Sequence, residues 1–223
     1  MNEVTAVVIG ATGLTGSFVL EELLKDDHFK TVRALVRRDL QLNHPKLQQS
    51  IVNFNDINDL TEKFGEGDVI FCCIGTTQKK VKGDLIAYAK IDFDIPVNAA
   101  RIGVSKNYKK FLIVSSVGAT ENSSNFYLQL KGKTENALKQ FEFESLEIFQ
   151  PSILIGKRNE NRITEQIAQT MGKFISFLFI GSLKKYKPIA AGNVAKAMVA
   201  ISKKDTPGVH YYQYTEMIKL AND

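Results

Sequence analysis

A glycine-rich segment directly behind the first apolar run constrains the fold of this chain most strongly. The run occupies residues 4–9 and leads into Gly10-Ala11-Thr12-Gly13-Leu14-Thr15-Gly16, where an amphipathic helical pattern begins. A strand that turns into a helix through three glycines lets the backbone approach a pyrophosphate closely, and the helix N-terminus then offers N–H donors to it. We therefore predict that this whole segment binds a dinucleotide. The alternative is a structural strand-to-helix turn without a ligand.

The rest of the chain alternates between short β-branched runs and longer amphipathic stretches. This alternation predicts an α/β fold with a doubly wound parallel sheet, the Rossmann fold, with helices on both faces. At 223 residues, we expect one domain over residues 1–223, with residues 151–190 as a small substrate region near the C-terminus. Strands are predicted at 4–9, 32–36, 69–73, 111–115 and 146–150, with another at 51–54. Helices are predicted at 14–24, 84–102, 125–141 and 193–202.

The end of the second strand indicates which dinucleotide is bound. About twenty residues past the glycines, an NAD-selective protein usually carries an acidic residue for the ribose 2′-OH. Here the chain has Arg37 and Arg38. A guanidinium suits the additional 2′-phosphate of NADP, so we predict that the cofactor is NADP(H) and that Arg37 binds it. A solvated basic loop is the alternative.

Two further segments lie where a cofactor crevice would be. Asp56 and Ile57 are placed to accept a hydrogen bond from the adenine amino group and to cover the ring. Gly75 and Thr76 follow another strand, where the backbone can approach the ribose or the pyrophosphate. Helix capping and turn formation explain the same residue types equally well, and both interpretations stay open.

A set of catalytic candidates follows the next strand. The strand ends at Ser115-Ser116, and the helical segment behind it carries Tyr127 and Lys131, which share a helix face. A phenol whose pKa is lowered by a nearby ammonium can donate a proton to a carbonyl oxygen, and a serine hydroxyl can position that oxygen. We assign these roles to Tyr127, Lys131 and Ser116, and expect Ser115 to point away by strand alternation. A surface tyrosine and lysine on an amphipathic helix is the alternative.

Four segments together make a family recognisable. They are the glycine-rich turn, Cys73-Ile74-Gly75-Thr76-Thr77, Ser115-Ser116-Val117-Gly118-Ala119, and the stretch from Ser124 to Lys133. Their combination resembles the Tat-interacting-protein group of atypical short-chain dehydrogenases, and the likeness covers nearly the whole chain. The resemblance implies that Gly10, Gly13, Gly16 and Arg37 bind NADPH, and that Ser116, Tyr127 and Lys131 occupy the catalytic positions. Gln150 is a departure, because many relatives have arginine there.

Composition excludes several classes of protein and site. A net charge of +5 suits an anionic ligand, and we expect a small-molecule substrate and no nucleic acid. The two adjacent cysteines, Cys72 and Cys73, cannot form a disulfide framework or a four-cysteine zinc site, and the histidines are scattered, so no metal is expected. Without a secretory leader or an apolar run long enough to span a bilayer, we expect a cytoplasmic protein with no membrane contact.

These observations lead to three hypotheses about function. The leading one is an NADPH-dependent oxidoreductase that reduces a small carbonyl-type substrate, with Arg158, Glu160 and Arg162 in the region of a substrate loop. The second is an NADP(H)-binding redox sensor or regulatory scaffold that acts through a protein partner. The third is an isomerase or epimerase with a tightly held cofactor. The oligomeric state is left open.

Overall fold

The strands of this protein form one large parallel sheet and a small second one. In the computed structural model, which describes residues 3–156 and 181–223, the main sheet has the order β3-β2-β1-β4-β5-β6-β9, and all of its neighbouring strands pair in parallel. The second sheet joins β7 to β8. The strands are β1 (Val4–Ile9), β2 (Phe29–Val36), β3 (Leu47–Ile51), β4 (Val69–Cys72), β5 (Lys110–Val114), β6 (Ser145–Phe149), β7 (Leu154–Ile155), β8 (Ile189–Ala190) and β9 (Gly208–Tyr212).

Helices cover both faces of the main sheet. Side chains of α1, α6 and α7 join one hydrophobic core, and those of α2, α4 and α5 join the other. A 3₁₀ turn at Gly181–Tyr186 precedes β8. The helices are α1 (Leu14–Lys25), α2 (Ile57–Phe64), α3 (Leu85–Ala89), α4 (Ile95–Ser105), α5 (Phe126–Leu138), α6 (Ala191–Ser202) and α7 (Tyr214–Asn222). The predicted doubly wound α/β architecture is confirmed.

Strand β1 shows why the sequence forms a sheet that is buried on both faces. Successive side chains of a strand point to opposite faces, and here Ala6 and Val8 pack in one core while Val7 and Ile9 pack in the other. All four are fully buried. An apolar run without polar alternation is the pattern expected of a central parallel strand.

Several elements differ from the sequence-based prediction, which also lacked helices α2 and α7 and the short strands β7 and β8. The strand expected at 51–54 is wrong, because β3 lies at Leu47–Ile51, where the polar Leu-Gln-Gln-Ser-Ile sequence forms an edge strand rather than a buried one. The helix expected at 84–102 is interrupted by a π-helical turn at Lys90–Asp94. Strand β9, the seventh strand of the main sheet, was not predicted, because it is a half-exposed edge strand without a strong apolar pattern.

The order of the strands determines where a ligand can bind. The chain leaves β1 toward β2 on one side, and β4 pairs with β1 on the other side. The strand order therefore reverses between β1 and β4, and helices connect to these strands from opposite faces. In doubly wound sheets such a reversal opens a crevice beyond the carboxyl ends of the strands. The predicted glycine-rich turn lies at this crevice.

Candidate functional site

The glycines of the first turn are required by close backbone contacts. Gly10 has a φ of +87°, and a Cβ there would lie 2.7 Å from the carbonyl carbon of Cys73 at the end of β4. A Cβ on Gly16 would overlap the Gly10 carbonyl oxygen, so α1 can start this close to the turn only with glycine. The Gly13 N–H donates to the Gly10 carbonyl oxygen at 2.8 Å and closes the turn.

A cavity of about 500 Å³ opens directly above this turn, and we call it the glycine-turn cavity. Helix α1 has no acidic side chain in its first turn, so its N-terminal N–H groups face no competing carboxylate from that turn. The exposed side chains of Arg37 and Arg38 bring positive charge to the same cavity. Its wall consists of Gly10, Ala11, Thr12, Gly13, Leu14, Ser17, Leu35, Val36, Arg37, Arg38, Phe54, Cys73, Ile74, Gly75 and Lys80. A backbone cradle, a helix N-terminus and two guanidinium groups fit a phosphate-rich dinucleotide.

Asp56 and Ile57 do not line this cavity, as the adenine hypothesis would require. Asp56 is the N-cap of α2, where its side chain accepts hydrogen bonds from the N–H groups of Asn58 and Asp59. Ile57 is 40% exposed, and neither residue belongs to the cavity wall. The structure thus favours the helix-cap alternative for Asp56. Phe54, which sequence reasoning missed, does line the cavity.

A second cavity of about 210 Å³ adjoins the first, and we call it the tyrosine cavity. It contains Tyr127 and Lys131, which lie one turn apart on α5, as predicted. Thr15 and Thr76, two predicted cofactor-binding residues, also line it. The two cavities share the wall formed by Gly13, Leu14, Cys73, Ile74, Gly75 and Lys80.

Lys131 carries a buried charge that the structure compensates. The residue is 4% exposed, and its Nζ lies 3.1 Å from Asp92 Oδ1, while it donates to the Val114 carbonyl oxygen at 3.4 Å. Burial acts to lower the pKa of Lys131, but the carboxylate of Asp92 more than offsets this, so the pKa is raised above its ordinary value. Lys131 is therefore a cation at neutral pH.

Asp92 is a residue of this site that sequence reasoning missed. It is 1% exposed and lies in the π-helical turn between α3 and α4. Its Oδ2 accepts a hydrogen bond of 2.8 Å from the Thr76 N–H, so it fixes the loop behind β4 as well as Lys131. An acidic residue within an otherwise apolar helical pattern was the available signal, since a buried charge requires a partner.

The two serines behind β5 are placed differently from the prediction. Strand β5 ends at Val114, so strand alternation does not continue through Ser115 and Ser116. Ser115 lines the tyrosine cavity, and the expectation that it points away is wrong. Ser116 is 9% exposed, and it is not among the described residues that line the tyrosine cavity. Its Oγ lies 3.4 Å from the Val117 carbonyl oxygen.

The two cysteines at the end of β4 are free thiols. Burial raises the pKa of Cys72 to about 12 and also raises that of Cys73 above its ordinary value. Both thiols therefore stay protonated at neutral pH and are poor nucleophiles. Cys73 contributes to the walls of both cavities through its position rather than through reactivity.

Some sequence-based expectations fall outside the described residues. Arg158, Glu160 and Arg162 lie there, together with most of the expected substrate region at 151–190. Within residues 3–156 and 181–223, the helices are too short or too polar to cross a membrane.

Comparison with known proteins identifies the family. The sequence profile of an NAD(P)H-binding family matches residues 10–205. Protein HTATIP2 from Rattus norvegicus is 32% identical over 172 residues, which cover 76% of this chain and 70% of that protein. Protein FMP52, mitochondrial, from Kluyveromyces lactis is 32% identical over 227 residues, which cover 98% of this chain and 99% of that protein.

Solved structures of low sequence identity share the fold. A UDP-N-acetylglucosamine 4-epimerase from Methanobrevibacter ruminantium M1 superposes with a TM-score of 0.70 at 18% identity, covering 96% of this chain and 77% of that one. MoeE5, in complex with UDP-glucuronic acid and NAD, gives a TM-score of 0.71 at 15% identity and covers 93% and 75% of the two chains. At this identity the likeness concerns the fold alone.

The comparisons also correct the expected location. FMP52 proteins from Kluyveromyces lactis, Eremothecium gossypii and Candida albicans, which match nearly the full length of this chain, are named as mitochondrial. The prediction of a cytoplasmic protein is therefore wrong. The prediction rested on finding neither a secretory leader nor an apolar run long enough to span a bilayer, and these two criteria do not distinguish the cytosol from a mitochondrion.

The family profile spans most of the chain, and two relatives exceed 30% identity over more than two thirds of their own length. The chain belongs to the NAD(P)H-binding family of atypical short-chain dehydrogenases that includes Protein HTATIP2 and FMP52.

Proposed function

We propose that this protein is an NADPH-dependent oxidoreductase that reduces a small carbonyl-type substrate. The observation that carries the proposal is the shared wall of the two cavities, because it brings Tyr127 and Lys131 next to the glycine-rich turn. A dinucleotide held along that wall would reach from the arginines to the tyrosine. When bound, its dihydronicotinamide would supply the hydride.

Within this proposal, the side chains of the tyrosine cavity have different roles in the reaction. Tyr127 donates a proton to the substrate oxygen, and the ammonium of Lys131 stabilises the phenolate that results. A serine behind β5 holds the substrate oxygen. Ser116 is the candidate from the sequence, and Ser115 is the alternative that the cavity wall supports. The small volume of the cavity, about 210 Å³, favours a small substrate.

The preference for NADPH rests on Arg37. Its exposed guanidinium lies in the wall of the glycine-turn cavity at the end of β2, where a 2′-phosphate can accept two hydrogen bonds from it. In a titration at fixed low salt, Arg37→Ala should weaken NADPH binding about 10- to 150-fold and leave NADH binding unchanged, since a hydrogen bond to a charged group contributes about 1.5–3 kcal/mol. Arg101→Ala, on the exposed face of α4 and outside the walls of both cavities, is the matched control. Equal losses for NADPH and NADH would refute the assignment.

Turnover tests the chemistry separately from binding. In an NADPH oxidation assay over a panel of small aldehydes and ketones, Tyr127→Phe should reduce kcat by about 10²- to 10⁴-fold without changing NADPH affinity. Ser115→Ala and Ser116→Ala form a matched pair, and the one with the greater loss identifies the serine that holds the substrate oxygen. If Tyr127→Phe retains full turnover, the proposed acid is wrong.

The ion pair at Lys131 favours a second candidate, an NADP(H)-binding redox sensor. Asp92 compensates the positive charge of Lys131, so less of that charge remains to stabilise a phenolate than an unpaired ammonium would supply. A sensor would bind the cofactor tightly without consuming it and pass its state to a protein partner. NADPH binding that depends on Arg37, together with no turnover across the panel, would support this function over the enzymatic one.

A further inference from the structure

A buried carboxyl group that the proposed chemistry does not use lies behind the tyrosine cavity. Glu135 follows Lys131 by one turn on α5 and is 4% exposed. It accepts hydrogen bonds from the Ser115 hydroxyl and from Gln150 Nε2, the latter at 3.0 Å to Oε1 and 3.2 Å to Oε2. Lys131 is held 3.1 Å from Asp92. The hydrogen bonds that Glu135 receives from Ser115 and Gln150 thus come from neutral donors.

The direction of these hydrogen bonds is fixed by helix α7. A backbone N–H can only donate, and the side chain of Gln213 accepts from one in the capping box that starts this helix. Gln213 Nε2 therefore faces Gln150 and donates to its Oε1 at 3.0 Å. The amide nitrogen of Gln150 must then face Glu135. The orientation of both amides follows from the helix, and Glu135 receives a donor from Gln150 in either protonation state.

The Ser115 hydroxyl carries one proton, and the protonation state of Glu135 determines which acceptor that proton faces. When Glu135 is ionised, the Ser115 hydroxyl donates to it, so a ligand in the tyrosine cavity that reaches Ser115 Oγ meets only lone pairs. When Glu135 is protonated, its own O–H can donate to Ser115 Oγ, and the Ser115 proton becomes available to a ligand. The backbone of Ser115 does not move in this exchange, because its N–H is bonded to the Phe149 carbonyl oxygen at 2.7 Å.

We propose that Glu135 is a positioning residue that sets, through Ser115, whether the tyrosine cavity presents a hydrogen-bond donor or an acceptor. This inference rests on the proposed function for the identity of the ligand. A carbonyl oxygen next to Ser115 is held by the protonated form, and a hydroxyl group is held by the ionised form. The cavity therefore prefers the oxidised substrate at lower pH and the alcohol at higher pH.

The surroundings of Glu135 raise its pKa above that of an ordinary glutamate. Burial raises the pKa of Glu135, although the hydrogen bonds from Ser115 and Gln150 and the charges of Lys139 and Lys131 act in the opposite direction. A group with a raised pKa in the folded state contributes stability that is complete below its unfolded pKa and is lost as pH rises through the folded pKa. Glu135 should therefore destabilise the fold progressively toward neutral pH.

A comparison of unfolding midpoints without any ligand tests the coupling directly. Glu135→Gln mimics the protonated form, because its carbonyl can accept from Gln150 while its NH₂ donates to Ser115. Its stability relative to the wild type should increase as pH rises. The advantage grows between the unfolded and the folded pKa of Glu135 and is constant above the folded pKa. In a Ser115→Ala background, the pH at which the advantage stops growing should move up by about one unit, because the ionised carboxylate loses a hydrogen bond. A pH-independent difference, or an upper end of this pH range that Ser115→Ala does not move, would overturn the inference.

Turnover of 4-nitrobenzaldehyde with NADPH tests the consequence for the ligand. In the wild type, kcat/KM should fall as pH rises through the titration of Glu135, and Glu135→Gln should lack this fall. Glu147→Gln is the matched control, because Glu147 is also buried and accepts from Ser145 on β6, outside the wall of the tyrosine cavity. Retention of the fall in Glu135→Gln would contradict the positioning role. Absence of all turnover would count against the proposed function, while the unfolding experiment would still decide the inference.

Discussion

The two neighbouring cavities are formed by different kinds of contact, backbone contacts in one and buried side chains in the other. The glycine-turn cavity is centred on residues 10–14 of one turn, and the close contacts that require glycine there are between backbone atoms. The tyrosine cavity depends on buried side chains that come from separate elements, such as Asp92 in the π-helical turn and Lys131 on α5. A binding site made from one short segment is robust and visible in sequence, whereas a site made from buried charges is stable only when every partner is present.

This difference between the two cavities predicts that breaking the buried ion pair of Lys131 and Asp92 causes the largest loss of stability. Lys131→Met leaves the Asp92 carboxylate buried without its cation, which should cost about 3–5 kcal/mol of unfolding free energy at neutral pH. Urea denaturation measures this loss. The exposed pair of Lys25 and Glu21 is the control, since Lys25→Met should change the stability far less than Lys131→Met does.

A second substitution determines whether the charge itself is responsible. Adding Asp92→Asn to Lys131→Met removes the uncompensated carboxylate and should restore much of the lost stability. If the double variant is no more stable than Lys131→Met, lost packing rather than charge explains the effect, and the contrast between the two cavities fails.

The glycine turn should show a smaller but definite sensitivity. Gly16→Ala places a Cβ against the Gly10 carbonyl oxygen, and relief of that overlap should cost about 1–3 kcal/mol and weaken NADPH binding. Gly192→Ala in α6 is the matched control, because its nearest contact would be Phe18 at 3.8 Å. That variant should be neutral or slightly more stable. If both substitutions are neutral in an unfolding experiment, α1 does not need to pack closely on the turn.

The same contrast explains what the sequence could reveal. The glycine turn, the central strands and the Tyr127–Lys131 spacing depend on contacts within a few residues or on strand periodicity, and all three were predictable. Asp92 and Glu135 could not be assigned partners, because these partners are brought together only by the packing of α5 against the sheet and the π-helical turn. The position of Ser115 was missed because β5 ends one residue earlier than expected.

The smallest expected loss of stability concerns Asp56, where substitutions distinguish a structural role from a role in cofactor binding. Asp56→Ala should cost about 1 kcal/mol of stability, because the first N–H groups of α2 lose their acceptor, while Asp56→Asn keeps a side-chain oxygen and should retain stability. NADPH affinity should be unchanged in both variants but reduced in Phe54→Ala, whose side chain lines the glycine-turn cavity. An affinity loss in Asp56→Ala as large as that in Phe54→Ala would mean that the cap also serves the adenine. The cofactor would then depend on a residue beyond the described wall of the glycine-turn cavity, and the binding site would extend to the N-terminus of α2.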